Sequence, residues 1–174
     1  MSDSDTPNFV PHEDWPLLEA LMPETRKLQA LAQKHGVPDI FQDNGGKLLQ
    51  IALVTGLKLL KSREGNDAVD ITGKEYELKT VNIQYSMKRK QNPQFTTHHH
   101  LNPIILAKYR MVHWLFCVYD GIELNAIYFM PASKLEPLFT AWEKKWHDDG
   151  RKDINNPKIP MKFVEENGVK IFPH

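Results

Sequence analysis

Apolar and polar residues alternate most cleanly in Glu75-Tyr76-Glu77-Leu78-Lys79. Because side chains in an extended strand point to opposite faces in turn, this predicts a strand with Tyr76 and Leu78 directed into the fold and Glu77 and Lys79 sharing the other face. Gly73-Lys74 reads as a tight turn, and Ala68-Val69-Asp70-Ile71 as the preceding strand of a hairpin, with Asp67 at its edge across from Glu77. The continuous apolar run Trp114 to Tyr119 predicts a buried strand, joined through Asp120 and a turn to a second strand over Ala126 to Met130. Helical spacing is found in Trp15 to Met22 and Glu24 to Lys34, with Pro23 tolerated as the first residue of the second piece and Gly36 as the stop. Leu17, Leu21, Leu28, Leu31 and Ala32 form a partial apolar face there, suited equally to covering the core or to pairing with a second subunit. Further helices are expected over Lys47 to Thr55, from Asn102-Pro103 to about Met111, and from Pro131 to about Trp146. Arg151 to Pro160 reads as a polar loop, and Met161 to Val164 with Val169 to Phe172 as a final hairpin. Helices and strands in this order predict an α/β (α+β) domain around a mixed sheet.

The length of 174 residues suits one domain, 1–174, with Met1 to Asp14 as a loose polar arm. The formal net charge is zero, so a polyanionic partner must be met by local basic surface offset by acid elsewhere. The single Cys117 excludes an internal disulfide framework and agrees with a reducing cytoplasm. The first ten residues are polar, and no signal peptide is expected. Leu48 to Leu60, the most apolar stretch, is broken by Gln50, Thr55, Gly56 and Lys58 and is too polar to cross a bilayer.

These patterns place chemistry in the hairpin. Asp67 and Glu77 offer two carboxylates with open positions, as Mg2+ prefers, and Lys79 lies on the same face as Glu77. A phosphodiester is anionic and resists hydroxide, so a metal must screen its charge and lower the pKa of the attacking water. Lys79 then either stabilises charge building on the phosphate or assists as a base. A second Glu-x-Lys spacing, Glu143-Lys144-Lys145 downstream of Asp120, lies in a predicted helix, where residues two apart diverge by about 200° and share no face. The hairpin pattern by itself also fits a solvated charged turn. Three other stretches stand out. Thr96-Thr97-His98-His99-His100 offers imidazoles for guanine edges or for zinc, although neighbours on a strand face opposite ways and no cysteine lies near. Asp153-Ile154-Asn155-Asn156-Pro157 offers amides that pair with adenine, or simply a turn. Met87-Lys88-Arg89-Lys90-Gln91 suits backbone phosphates, or is a solvated face.

From about Trp15 to its C-terminus the chain resembles the PvuII-type restriction endonucleases of the PD-(D/E)xK nuclease superfamily. The likeness is dense in Ile40-Phe41-Gln42-Asp43-Asn44-Gly45-Gly46-Lys47, Arg63 to Asp70, Glu75 to Lys79, Thr97 to Arg110 and Lys152-Asp153-Ile154-Asn155-Asn156-Pro157. The resemblance implies a restriction-endonuclease-like mixed sheet flanked by helices, with residues 15–36 forming a helical dimerisation region and 37–174 carrying catalysis and DNA recognition. It implies a homodimeric type II site-specific deoxyribonuclease of a bacterial, cytoplasmic restriction–modification system, with a cognate DNA methyltransferase as its functional partner. Cleavage would be at CAGCTG, leaving blunt ends with 5′-phosphates. It implies Asp67, Glu77 and the Leu78 main-chain carbonyl as ligands of Mg2+, two ions per site, with Lys79 as the catalytic lysine. Glu64 matches an acidic residue near the metal, and Tyr109 a tyrosine beside the scissile phosphate. His99, His100, Asn155 and Asn156 match residues that read the major groove, Thr96 one that approaches the bases, and Asp43 an acidic residue facing the minor groove. The chain departs from the family in a longer N-terminal arm and in Gln84 to Gln94, which is longer and more basic than the matching segment. Asn66 stands where the wider superfamily has proline. Two other classes share these features: a repair or junction nuclease on the same core, and a DNA-binding protein without catalysis.

Overall fold

The computed structural model describes residues 12–60, 66–84, 91–98 and 100–173. Its elements are α1 (Trp15–Lys34), α2 (Gly45–Thr55), β1 (Lys58–Leu59), β2 (Ala68–Val69), β3 (Glu75–Asn82), β4 (Gln94–Thr96), α3 (Pro103–Arg110), β5 (His113–Asp120), β6 (Glu123–Met130), α4 (Ala132–Asp148), β7 (Lys158–Pro160), α5 (Met161–Asn167) and β8 (Val169–Phe172). Six strands form one mixed sheet in the order β1-β2-β3-β5-β6-β8, and β4 and β7 form a separate ribbon. Among the described residues of this sheet, only the β3–β5 neighbours are parallel.

The apolar run of β5 makes it the central strand. Trp114, Phe116 and Val118 enter a core on one face with Leu106 and Tyr109 of α3 and Leu135 and Phe139 of α4. Leu115, Cys117 and Tyr119 enter a core on the other face with Ile51 of α2. A strand covered on both faces reads as a continuous apolar stretch, as this one does. The ribbon is fastened to the first core by Phe95 and Ile159, both fully buried.

Three boundaries differ from the sequence expectation. Helix α1 is continuous through Pro23 rather than divided there. Met161–Asn167 is a helix rather than the first strand of a hairpin, and β8 pairs with β6 instead. The polar segment 151–160 ends in β7, whose partner β4 lies some sixty residues earlier in the chain. In addition, Asp70 and Ile71 belong to a turn rather than to β2. The Asp70 carboxylate closes that turn, its Oδ1 accepting from the N–H groups of Thr72 (2.8 Å) and Lys74 (3.0 Å) and from the Thr72 hydroxyl (2.7 Å). These bonds, led by the Thr72 hydroxyl, hold its pKa down to about 2.

Candidate active site and nucleic-acid interface

The β2–β3 register pairs Ala68 with Tyr76 and Val69 with Glu75, which sets Asp67 opposite Glu77. The Asp67 N–H donates to the Tyr76 carbonyl (3.0 Å), and the Leu78 N–H donates to Asp67 Oδ2 (2.7 Å). Across the other edge of β3, Glu77 aligns with Trp114 and Lys79 with Phe116. The two charged residues therefore share the face of β3 that looks onto α3. That face is covered: the side chains of Lys79 and Glu77 retain only 14% and 7% of their accessible surface, and Lys79 Nζ lies 2.5 Å from Glu77 Oε1. The expected division into an inward Tyr76–Leu78 face and an outward Glu77–Lys79 face thus becomes two covered faces.

Aromatic residues complete the enclosure. Lys79 Nζ is 5.8 Å from the Tyr109 ring centre and 5.7 Å from that of Trp114. Those rings meet edge to face at 4.7 Å, and the Trp114 indole N–H donates to the Tyr109 carbonyl (3.2 Å). The Tyr109 hydroxyl lies close enough to the Glu77 carboxyl to favour its charged form. Burial pushes the Glu77 carboxyl up to about 7, against the opposing pull of the Lys79 ammonium, and burial also raises Asp67. Removing two ions from water costs on the order of several kcal/mol each, which their close pairing must offset. Trp114 escaped the sequence reading because it sits in an apolar run; its parallel alignment with Glu77 is visible only once β3 and β5 are paired.

Two carboxylates, of which Glu77 is already paired with Lys79, are brought side by side in a largely desolvated place. Among the described residues no three His, Cys, Asp or Glu side chains gather to hold an ion by themselves. A pair of carboxylates, completed by water and a main-chain carbonyl such as that of Leu78, fits a hydrated hard cation such as Mg2+ and not a protein-caged zinc. Glu64 lies outside the described residues.

The candidate base-reading stretches, about sixty residues apart in the chain, meet in the β4–β7 ribbon. Thr96 pairs with Lys158, whose Nζ donates to the Thr96 hydroxyl (3.1 Å). The Thr97 N–H and hydroxyl both donate to the Pro157 carbonyl (3.3 and 2.8 Å), and the Asn156 N–H donates to the His98 carbonyl (3.0 Å). Leu101 then pairs with Ile154, one residue out of the β4–β7 register. With Phe95 and Ile159 turned inward, Thr96 and Lys158 are exposed on the ribbon, and His98, His100 and Asn155 are exposed on the segments that continue from it. Asn156 is half-buried with left-handed backbone (φ 48°). The His100 N–H donates to His98 Nδ1 (3.0 Å), so this ring nitrogen serves the turn. His99 and residues 85–90 of the basic segment lie outside the described residues. Asp43 stands apart from the ribbon, on the loop before α2, and lines with Asp67 a cleft of about 830 Å3.

A family model described as Restriction endonuclease PvuII matches residues 13–172 of the chain.

Proposed function

The chain belongs to the PvuII restriction endonuclease family, and from that premise we propose that it is a homodimeric, Mg2+-dependent enzyme that cuts duplex DNA at CAGCTG to leave blunt, 5′-phosphorylated ends. The observation that carries this reading is the meeting of Asp67, Glu77 and Lys79 at the β2–β3 pair, inside a chain matched almost throughout by the family model. Asp67, Glu77 and the Leu78 carbonyl would hold the metal, two ions per site. Mg2+ bound there screens the phosphate charge and lowers the pKa of the attacking water.

The protein's own side chains do the rest. Glu77 fixes Lys79, and the Tyr109 and Trp114 rings flank its ammonium. An ammonium so held stabilises the charge that builds on the nonbridging oxygens, without reorganisation at the moment of reaction. Tyr109, next to Glu77, lies beside the scissile phosphate, and Glu64 supports the metal site. His99, His100, Asn155 and Asn156 read base edges in the major groove, with Thr96 approaching them, while Asp43 faces the minor groove.

A palindromic target asks for a twofold protein, each subunit cutting one strand. Residues 15–36 are assigned to that contact and 37–174 to catalysis and reading: α1 leaves Leu17, Leu21 and Leu28 about half exposed along one helix. In a bacterial cytoplasm such activity calls for a methyltransferase of the same specificity to protect host DNA. No described helix is long and apolar enough to cross a membrane.

Plasmid digestion with Mg2+, with and without chelator, followed by sequencing of the ends, tests the reading. Discrete blunt ends at CAGCTG support it. Scattered nicks indicate a structure-directed nuclease, and no cutting indicates a DNA-binding protein.

A further inference from the structure

The loop that carries Asp43 is held in an uncommon conformation from two sides. Asp43 (φ 47°) and Asn44 (φ 62°) both adopt left-handed backbone, where residues other than glycine persist only if their surroundings over-determine them. On one side α2 packs backbone against backbone: a Cβ on Gly45 would stand 2.0 Å from the Asp39 carbonyl oxygen. The Gly46 N–H donates to the Ile40 carbonyl (2.9 Å) and the Gly45 N–H to that of Gln42 (2.7 Å).

On the other side a single α1 side chain grips the loop. Gln29 Nε2 donates to the Pro38 carbonyl (2.7 Å), and Gln29 Oε1 accepts from the Ile40 N–H (3.0 Å). Both ends of one amide are thus committed to main-chain groups two residues apart. Loop amides left without such partners must find water, so the grip holds one loop conformation against many. This loop forms one wall of the cleft shared with Asp67, Leu59 and Leu60. Gln29 also follows Leu28 on the helix whose apolar face stands exposed.

We propose that Gln29 is a positioning residue that holds the 38–44 loop so that Asp43 faces the Asp67 cleft, tying that geometry to the position of α1. This assignment rests on the nuclease function proposed above. It makes the minor-groove wall and the α1 surface one mechanical unit: a shift of α1 moves the main chain that presents Asp43.

The test uses Gln29→Leu, with Gln29→Glu as a second variant that keeps the acceptor for Ile40 N–H and loses the donor to Pro38. Single-turnover cleavage of a CAGCTG duplex is measured in the wild-type and Asp43→Asn backgrounds. Loss of two neutral hydrogen bonds is expected to slow cleavage roughly tenfold in the wild-type background. In the Asp43→Asn background little further loss is expected, because residues acting as one unit are not additive. Equal losses in both backgrounds, or none in either, overturn the assignment. Amide hydrogen exchange supplies a readout independent of cutting: Gln29→Leu is expected to speed exchange across 38–44 and leave 75–82 unchanged. Unaltered exchange at Ile40 overturns the proposal whether or not the wild type cuts, whereas a wild type that does not cut, with faster exchange in the variant, removes the nuclease reading alone.

Discussion

Asp67 and Glu77 stand opposite each other across the β2–β3 pair, and both carboxyls are driven towards protonation by burial. In the proposed function an added divalent cation binds between them. Asp67→Asn and Glu77→Gln are each expected to weaken divalent-ion binding and to reduce cleavage by roughly a hundredfold or more. The double variant is expected to be no worse than the weaker single variant, since the two ligands act together. Calorimetric titration with Mn2+, alongside cleavage assays, checks both statements. Wild-type ion affinity in either variant rejects the metal assignment.

Beyond the end of the β4–β7 ribbon, His100 is exposed beside the segment carrying Asn155. His100→Ala is expected to erode discrimination between CAGCTG and its one-base variants by roughly 1–3 kcal/mol, the worth of one good base contact. Its salt dependence is expected to stay near wild type, because no phosphate contact is removed. Competition binding against one-base variants at two salt concentrations measures both quantities. Undiminished discrimination dismisses the reading role.

Much of this arrangement is legible in the residues themselves. Alternation over Glu75 to Lys79 and the Gly73-Lys74 turn locate the hairpin, because a strand with distinct faces and a tight turn both leave local marks, although the turn begins earlier, at Asp70, than the residues suggest. The apolar run of β5 likewise announces a strand covered on both faces. The α5 helix misleads because Met161, Phe163 and Val164 are spaced for either element over so short a stretch, and Val164 alone is fully buried. Pro23 lies at an exposed position of α1, where the loss of one hydrogen bond is tolerated without breaking the helix. The ribbon uniting Thr96 with Lys158 depends on a pairing some sixty residues apart, and the Gln29 grip on a contact eleven residues apart. Neither has a local pattern to betray it.

The turn anchored by Asp70 gives a pH-dependent stability with a defined sign. Its carboxyl has a pKa of about 2 in the folded chain, below its ordinary value of 3.8. The unfolded chain therefore takes up this proton first as pH falls. The stabilising contribution is complete above the ordinary value and is lost as pH drops through about 2. Urea denaturation of the wild type and Asp70→Asn across this window is expected to show the wild-type advantage shrinking with acidification. A constant advantage down to the lowest pH contradicts the role of the carboxylate.

The Lys79 ammonium, pinned by Glu77 and ringed by Tyr109 and Trp114, is where the account is most exposed to a single measurement. Lys79→Ala is examined on one CAGCTG duplex, with affinity measured in Ca2+ and cleavage in Mg2+. Wild-type affinity and no cleavage are expected. Cleavage at the wild-type rate in Mg2+ contradicts the catalytic assignment of Lys79.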